Sequence, residues 1–339
     1  MVKVGFGFCV PIFSSAGDTH ARTPCYEELD YASCKEAVLK AEKLGFDSLW
    51  VADHLFLGKG GAILECWTTL SALASVTKKM RIGTIHLCNI FRHPALVAKM
   101  AATLDLISGG RLEFFIDAGW AEGETKAYGF PWEPDPAVRI QRMEEAIEIA
   151  RLMWTQEKPS YRGRYYRIEE AVCEPKPLQK PHPPIWIGTF GGESGLNIVP
   201  SEELMMKAVA KYANVWNNTP ASVEVCKSKL EALRKACFDV GRSYSDIGKS
   251  LETEVMIAKD KDGLRRIQER IHELNPRKRF YASEEAYRKF YIVGNPEECV
   301  ERIWEYVDLG INRFMIWFLD LPSTKGMEIF SEMVMPEFR

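Results

Sequence analysis

Asp53 and His54 stand together at the carboxyl end of an apolar run, Asp47 to Ala52. An imidazole titrates near neutrality, so a histidine placed there can take or return a proton at physiological pH. A second stretch, Gly109 to Trp132, reads GGRLEFFIDAGWAEGETKAYGFPW. Leu112 to Ile116 is a short apolar run with one charge, bounded by glycines, and reads as a buried parallel strand that opens into a loop. Asp117 stands at its end, and Trp120, Glu122 and Glu124 follow at once. Ligands of α/β proteins bind outside the carboxyl ends of strands, so both stretches lie where chemistry is placed. The plain alternative is structural: Asp117 as a strand-end acid that caps a helix, His54 as a residue held by its neighbours. A third stretch, Thr189 to Gly195, follows the apolar run Ile185 to Gly188 and is rich in glycine. Backbone N–H groups of such a loop can cradle a phosphate; a plain turn is the alternative.

The elements that must position these residues alternate. Strands are expected at Val2 to Cys9, Asp47 to Ala52, Met80 to Leu87 and Leu112 to Ile116. Between and after them, helical spacing covers Tyr31 to Leu44, Glu65 to Val76, Pro94 to Leu106 and Pro136 to Trp154. Gly45 supplies a C-cap, and Pro94 and Pro136 open their helices. A hairpin follows at Tyr161 to Ile168. Further strands are expected at Ile185 to Gly188, Ala213 to Trp216, Leu251 to Ala258 and Arg313 to Phe318. Helices are expected at Glu202 to Lys211, Val223 to Val240, Pro296 to Leu309 and Lys325 to Met335, with Asp260 to Tyr291 charged and helical in parts. This alternation argues for a parallel sheet with helices outside, and its spacing fits a (β/α)8 barrel. A doubly wound sheet is the alternative, but no Gly-x-Gly-x-x-Gly turn follows the first strand.

The 339 residues, 46% hydrophobic, support a large core, and a net charge of -3 gives no reason to expect nucleic acid or an anionic membrane surface. No apolar run reaches the roughly 18 residues a membrane span needs. Nine scattered cysteines without a C-x-x-C pair point to reduced thiols in a cytoplasmic protein, and away from a disulfide framework or a metal site.

Several segments, taken in order, resemble the luciferase-like flavin and deazaflavin oxidoreductases: GFDSLWVADH (45–54), RIGT (81–84) with FRHP (91–94), MAATLDLISGGRLEFFIDAGW (100–120), YGFPW (128–132), GRYYRIEEA (163–171) with PKPLQKPHPPIWIG (175–188), and GNPEECVERI (294–303). The resemblance spans nearly the whole chain. It implies one TIM-barrel domain over 1–339, a homodimer, and flavin or deazaflavin bound at the carboxyl ends of the strands. It is nearest the branch that uses the deazaflavin coenzyme F420, with FMN the alternative cofactor. On that basis His54 is the expected acid/base, with Asp53 orienting its ring or touching the cofactor. Ile85–His86 is the expected place of a non-prolyl cis peptide behind the ring system, with His86 lining the pocket. Gly119 and Trp120 are expected to form a cofactor or substrate wall, and Gly191 and Gly192 to hold the cofactor's phosphate. Dehydrogenase-type members carry Glu where this chain has Trp120, and Asp117 could replace that acid. Arg265, Arg266, Arg270, Arg277, Lys278 and Arg279 fall where relatives often have a mobile lid; a solvated helix face is the simpler reading. The implied activity is hydride exchange between F420 and a small organic substrate. An FMN-dependent monooxygenase and a non-catalytic flavin-binding barrel are the alternatives.

Overall fold

The structure of the protein is a computed structural model that describes residues 3–16, 22–189, 200–276 and 288–339. In chain order, β1 (Gly5–Cys9) leads to α1 (Tyr31–Leu44), β2 (Ser48–Ala52), α2 (Cys66–Val76), β3 (Arg81–Ile85), the two-residue β4 (Leu87–Cys88) and α3 (Pro94–Ile107). Then come β5 (Leu112–Asp117), the short α4 (Glu122–Ala127) and α5 (Pro136–Thr155). The β6–β7 hairpin (Tyr161–Arg162, Arg167–Ile168) precedes β8 (Ile185–Thr189), α6 (Pro200–Tyr212), β9 (Val215–Asn218) and α7 (Val223–Val240). The chain ends with β10 (Gly248–Ile257), α8 (Lys261–Leu274), β11 (Ile292–Gly294), α9 (Pro296–Val307), β12 (Arg313–Phe318) and α10 (Lys325–Met333).

Eight parallel strands close in the order β1, β2, β3, β5, β8, β9, β10, β12 and back to β1. The closing ladders pair Gly5 with Arg313 and Ser250 with Arg313, and β9 joins β10 through Val215 and Gly248. This is the (β/α)8 barrel that the alternation implies, with β4 and β11 as additions at its rim. Local signals set the helix ends. Asp30 accepts from the Ser33 N–H at 2.8 Å to start α1, and Gly45, at φ 88°, ends it. Asn295 and Glu298 form a reciprocal capping box at the start of α9. No helix among the described residues is long and apolar enough to cross a membrane.

The barrel interior is closed by aromatic rings set against glycines. A Cβ on Gly83 would lie 2.2 Å from Trp50 Cζ3, and one on Gly7 would lie 2.5 Å from its Nε1, so Trp50 occupies the space both residues leave. Its ring centroid is 4.7 Å from that of Trp186 and 6.2 Å from that of Phe115. Below this layer Glu113 is buried, accepting from Trp186 Nε1 at 2.6 Å and from Arg81 Nε. Burial pushes the Glu113 carboxyl up, and Arg81 opposes it. Above the layer lies the mouth, where the carboxyl ends of the strands converge.

Two elements differ from expectation there. The stretch read as one strand, Met80 to Leu87, divides at His86 into β3 and β4, while the Ile85–His86 peptide is cis, where the resemblance placed it. The stretch after Trp120 folds as α4, a single short helix that includes Gly123 and carries no apolar repeat.

Candidate functional site

The mouth is built from the residue pair that ends β2. Asp53 turns inward, with only 3% of its surface exposed. Its carboxylate accepts from the Cys88 N–H at 2.9 Å and from both terminal nitrogens of Arg92, at 2.8 and 2.9 Å. Arg92 also donates to Glu65 at 2.8 Å. Burial pulls the Arg92 guanidinium down, but Asp53 and its other acidic neighbours together raise it; burial pushes the Asp53 carboxyl up, and Arg92 opposes that. Asp53 thus ties the end of β2 to β4 and to the entry of α3.

The expectation that Asp53 orients the His54 ring needs correction. Glu124, on α4, does so. His54 Nδ1 lies 2.5 Å from Glu124 Oε1, while Glu124 Oε2 accepts from the backbone N–H groups of Leu55 at 2.6 Å and Phe56 at 3.4 Å. One buried carboxylate therefore holds both the ring and the loop that carries it. A carboxylate only accepts, so the proton of a neutral His54 sits on Nδ1, and no hydrogen bond to Nε2 is found among the described residues. Trp120 stands edge-on to this imidazole, centroids 5.3 Å apart, with 48% of its surface exposed. Tyr128 fastens the same loop from the far end of α4, donating to the Leu55 carbonyl at 3.3 Å.

Asp117 caps no helix. It is buried, its Oδ1 accepts from the Gly119 N–H at 2.8 Å, and its Oδ2 lies 3.4 Å from His86 Nδ1. Gly119 has φ 88°, and a Cβ there would lie 2.6 Å from Ile90 Cδ1, so the turn that presents Trp120 requires glycine. The other nitrogen of His86, Nε2, lies 3.3 Å from Glu252 Oε2 across the barrel. Glu252 Oε1 accepts from Trp317 Nε1 at 2.9 Å and pairs with Arg22. Beside this group, Asn217 on β9 is wholly buried with neither polar side-chain atom hydrogen-bonded, and the Oγ of Ser250, its register partner on β10, is likewise unpaired.

The structure therefore gathers His54, Trp120, Asp117, Gly119, His86 and Ile85 around one mouth, with Asp53 behind it. Gly191 and Gly192, expected to hold a phosphate, lie outside the described residues, as do Arg277, Lys278 and Arg279. Glu124, Glu252 and Arg22 were missed as site residues. Glu252 had a signal: in SLETEV the polar residues Ser250, Glu252 and Glu254 alternate with apolar or branched ones in a strand buried throughout, so they share one face. Glu124 had only its place four residues after Trp120, within the six-residue α4.

A family model described as luciferase-like monooxygenase matches residues 4–313. An F420-dependent glucose-6-phosphate dehydrogenase of Microbacterium testaceum (strain StLB037) is 29% identical over 320 residues, 88% of this chain and 91% of the relative. An FMNH(2)-dependent dimethylsulfone monooxygenase of Pseudomonas putida is 28% identical over 327 residues, 88% of this chain and 85% of the relative. A solved F420-dependent secondary alcohol dehydrogenase, in complex with an F420-acetone adduct, has a TM-score of 0.77 at 22% identity and covers 99% of both chains, a likeness of fold. With its closed barrel and a family match over most of its length, this chain belongs to the luciferase-like monooxygenase family, within the superfamily of flavin- and deazaflavin-dependent oxidoreductases.

Proposed function

We propose that the protein is an oxidoreductase that exchanges hydride between the deazaflavin coenzyme F420 and a small organic substrate. The observation that carries this reading is the His54–Glu124 pair: an imidazole fixed through Nδ1, with no hydrogen bond to Nε2 among the described residues and the exposed ring of Trp120 beside it. Several F420-dependent glucose-6-phosphate dehydrogenases among its relatives support the choice of cofactor. The residues present fit a flat heteroaromatic group. Trp120 and the two imidazoles offer ring walls, and the unpaired amide of Asn217 and hydroxyl of Ser250 leave hydrogen-bonding capacity in the layer beneath, suited to a ring edge of alternating donors and acceptors. Coenzyme F420, when bound, accepts or gives the hydride. His54 Nε2 takes the proton of a substrate hydroxyl, or returns it to a carbonyl oxygen in the reverse direction. Glu124 holds the ring in the tautomer that leaves Nε2 able to accept, and stabilises the imidazolium once it forms. Trp120 shields the proton path from water. Asp117 is further in, and its contribution runs through His86 and the Gly119 turn. A homodimer is part of this proposal by family likeness.

A second reading, an FMN-dependent monooxygenase, is favoured by one observation: an indole, at Trp120, stands where dehydrogenase-type members carry an acid. Anaerobic fluorescence titration of the protein with FMN and with F420, side by side, separates the two. Tight binding of F420 alone is expected. Tight binding of FMN alone selects the second reading, and binding of neither leaves a barrel without its family role. His54→Ala is expected to keep cofactor affinity and lose most turnover; unchanged turnover would remove His54 from the mechanism.

A further inference from the structure

The loop that carries His54 forms much of the rim of the barrel mouth. On one side it joins the loop after β1. The Lys59 N–H donates to the Ser14 carbonyl at 2.8 Å, the Leu64 N–H donates to the Ile12 carbonyl at 3.0 Å, and Ile63 bridges Phe13. On the other side α4 holds it, through Glu124 on the Leu55 and Phe56 N–H groups and Tyr128 on the Leu55 carbonyl. Three aromatic side chains stay exposed where these loops meet: Phe56, Trp120 and Tyr128. Phe56 and Tyr128 stack, centroids 6.4 Å apart and 29° between planes, and Trp120 stands beside the His54 imidazole. Apolar ring surface left in water is stabilised when a ligand covers it. The two arginines beside the mouth are committed elsewhere: Arg92 lies on Asp53 and Glu65, and Arg22 on Glu252. Lys59, the one lysine of the loop, is exposed.

We propose that the substrate is an uncharged alcohol, or the matching carbonyl compound, that bears an aromatic or alicyclic ring, and that Phe56, Tyr128 and Trp120 form the wall on which that ring packs. The backbone under the wall is fixed from both sides, so packing a ring there orders little that is not already ordered. A phosphorylated substrate would instead bring its charge to a rim whose arginines already serve carboxylates of the chain, and would lose water in doing so. The carbinol carbon gives its hydride to oxidised F420, the hydroxyl gives its proton to His54, and the carbonyl compound is left. The reacting hydroxyl rests on the oxidoreductase reading; the preference of the rim for rings does not.

The test measures dissociation constants by ligand-observed NMR, with the full chain alone and with F420 or FMN added. The probes are 1-phenylethanol, uncharged with a ring; 2-propanol, uncharged without one; and glucose 6-phosphate, charged. 1-Phenylethanol is expected to bind about tenfold more tightly than either of the others. Binding of either of the others as tight as that of 1-phenylethanol overturns the inference, as does no binding of 1-phenylethanol in any state. Phe56→Ala and Tyr128→Ala are each expected to weaken 1-phenylethanol about three- to tenfold and to leave cofactor affinity unchanged. An equal loss of cofactor affinity would assign the rings to the cofactor and overturn the wall. Tyr128→Phe keeps the ring and removes the hydrogen bond to Leu55, and it is expected to bind the probe as the parent does. A loss as large as that of Tyr128→Ala would leave Tyr128 only a fastener of the loop and overturn its place in the wall. Lys59→Met is expected to leave the affinity for 1-phenylethanol unchanged, and a loss like that of Phe56→Ala overturns the wall. Binding of neither F420 nor FMN by the parent would overturn the proposed function, while the order of the three probes on the chain alone still decides whether the rim selects rings.

Discussion

Glu124→Gln keeps the size of the side chain and one accepting oxygen, and removes the charge. In the parent, that carboxylate takes three donors: His54 Nδ1, the Leu55 N–H and the Phe56 N–H. The amide oxygen can keep only one side of this arrangement, and its NH2 group faces a donor on the other. A hydrogen bond to a charged group contributes about 1.5–3 kcal/mol and a neutral one about 0.5–1.5, so neutralising the acid loses about 1–2 kcal/mol. A buried donor left facing a donor costs about 1–3 kcal/mol more. Together the variant should be less stable by about 2–5 kcal/mol in urea unfolding, toward the lower end where a change of tautomer at His54 relieves the clash. Nitrogen NMR of His54 should show the ring proton moved from Nδ1 to Nε2, because the relief open to the site is to turn the lone pair toward the amide N–H. With Nε2 protonated in the resting protein, turnover should fall about ten- to a hundredfold, the equivalent of about 1.4–2.8 kcal/mol. A variant as stable as the parent, with Nδ1 still protonated, would show that Glu124 does not set the tautomer and would refute the reasoning.

Arg92→Leu leaves Asp53 buried without its partner and should cost about 3–5 kcal/mol in urea unfolding. Adding Asp53→Asn to it should recover part of that loss, whereas simple additivity would show that the pair is not coupled. Gly83→Ala should destabilise by about 1–3 kcal/mol or prevent folding, since the new methyl meets the Trp50 ring; a variant as stable as the parent would contradict the packing described. Burial raises the Asp320 carboxyl to about 6, above the roughly 3.9 of an unfolded chain. The folded protein therefore binds that proton more tightly, and the associated stability is fully present below about pH 4 and lost as pH rises through 6. Asp320→Asn, which can still accept from the Gly326 N–H, should remove this decline. It should be more stable relative to the parent at pH 7 than at pH 4, by about 1–2 kcal/mol after allowing for the partial exposure of the group. An equal difference at both pH values would refute it.

The fold was legible because its signals are local. Asp30 and Gly45 mark the ends of α1, and its bounds were read without error. The apolar runs of β2, β5 and β8 are each bracketed by residues that cannot continue them. The two-residue β4 and the three-residue β11 were not seen, since neither is long enough to show a period. At the site, His54, Trp120 and Asp117 could be found as strand-end residues. Their partners could not, because partnership is a matter of where loops travel. Glu124 reaches His54 across 70 residues of sequence, and Glu252 reaches His86 across 166. Asp53, adjacent to His54 in the chain, was the natural choice of partner, but alternation along the extended backbone points consecutive side chains in opposite directions. That sends Asp53 to Arg92 and leaves the ring to an acid from another loop.

The layer of Trp50, Phe115 and Trp186 has a consequence for how protons travel. It sits between two polar groups, Arg81–Glu113 at the base and Asp117–His86–Glu252 at the mouth. Phe115 has no exchangeable proton, and the indole N–H of Trp186 is committed to Glu113. The layer therefore acts as an insulator between two terminals. A proton exchanged at the proposed site is therefore expected to pass the open end, beside Trp120 and Arg22, and substitutions at Arg81 or Glu113 are expected to act on stability rather than on proton exchange at the mouth.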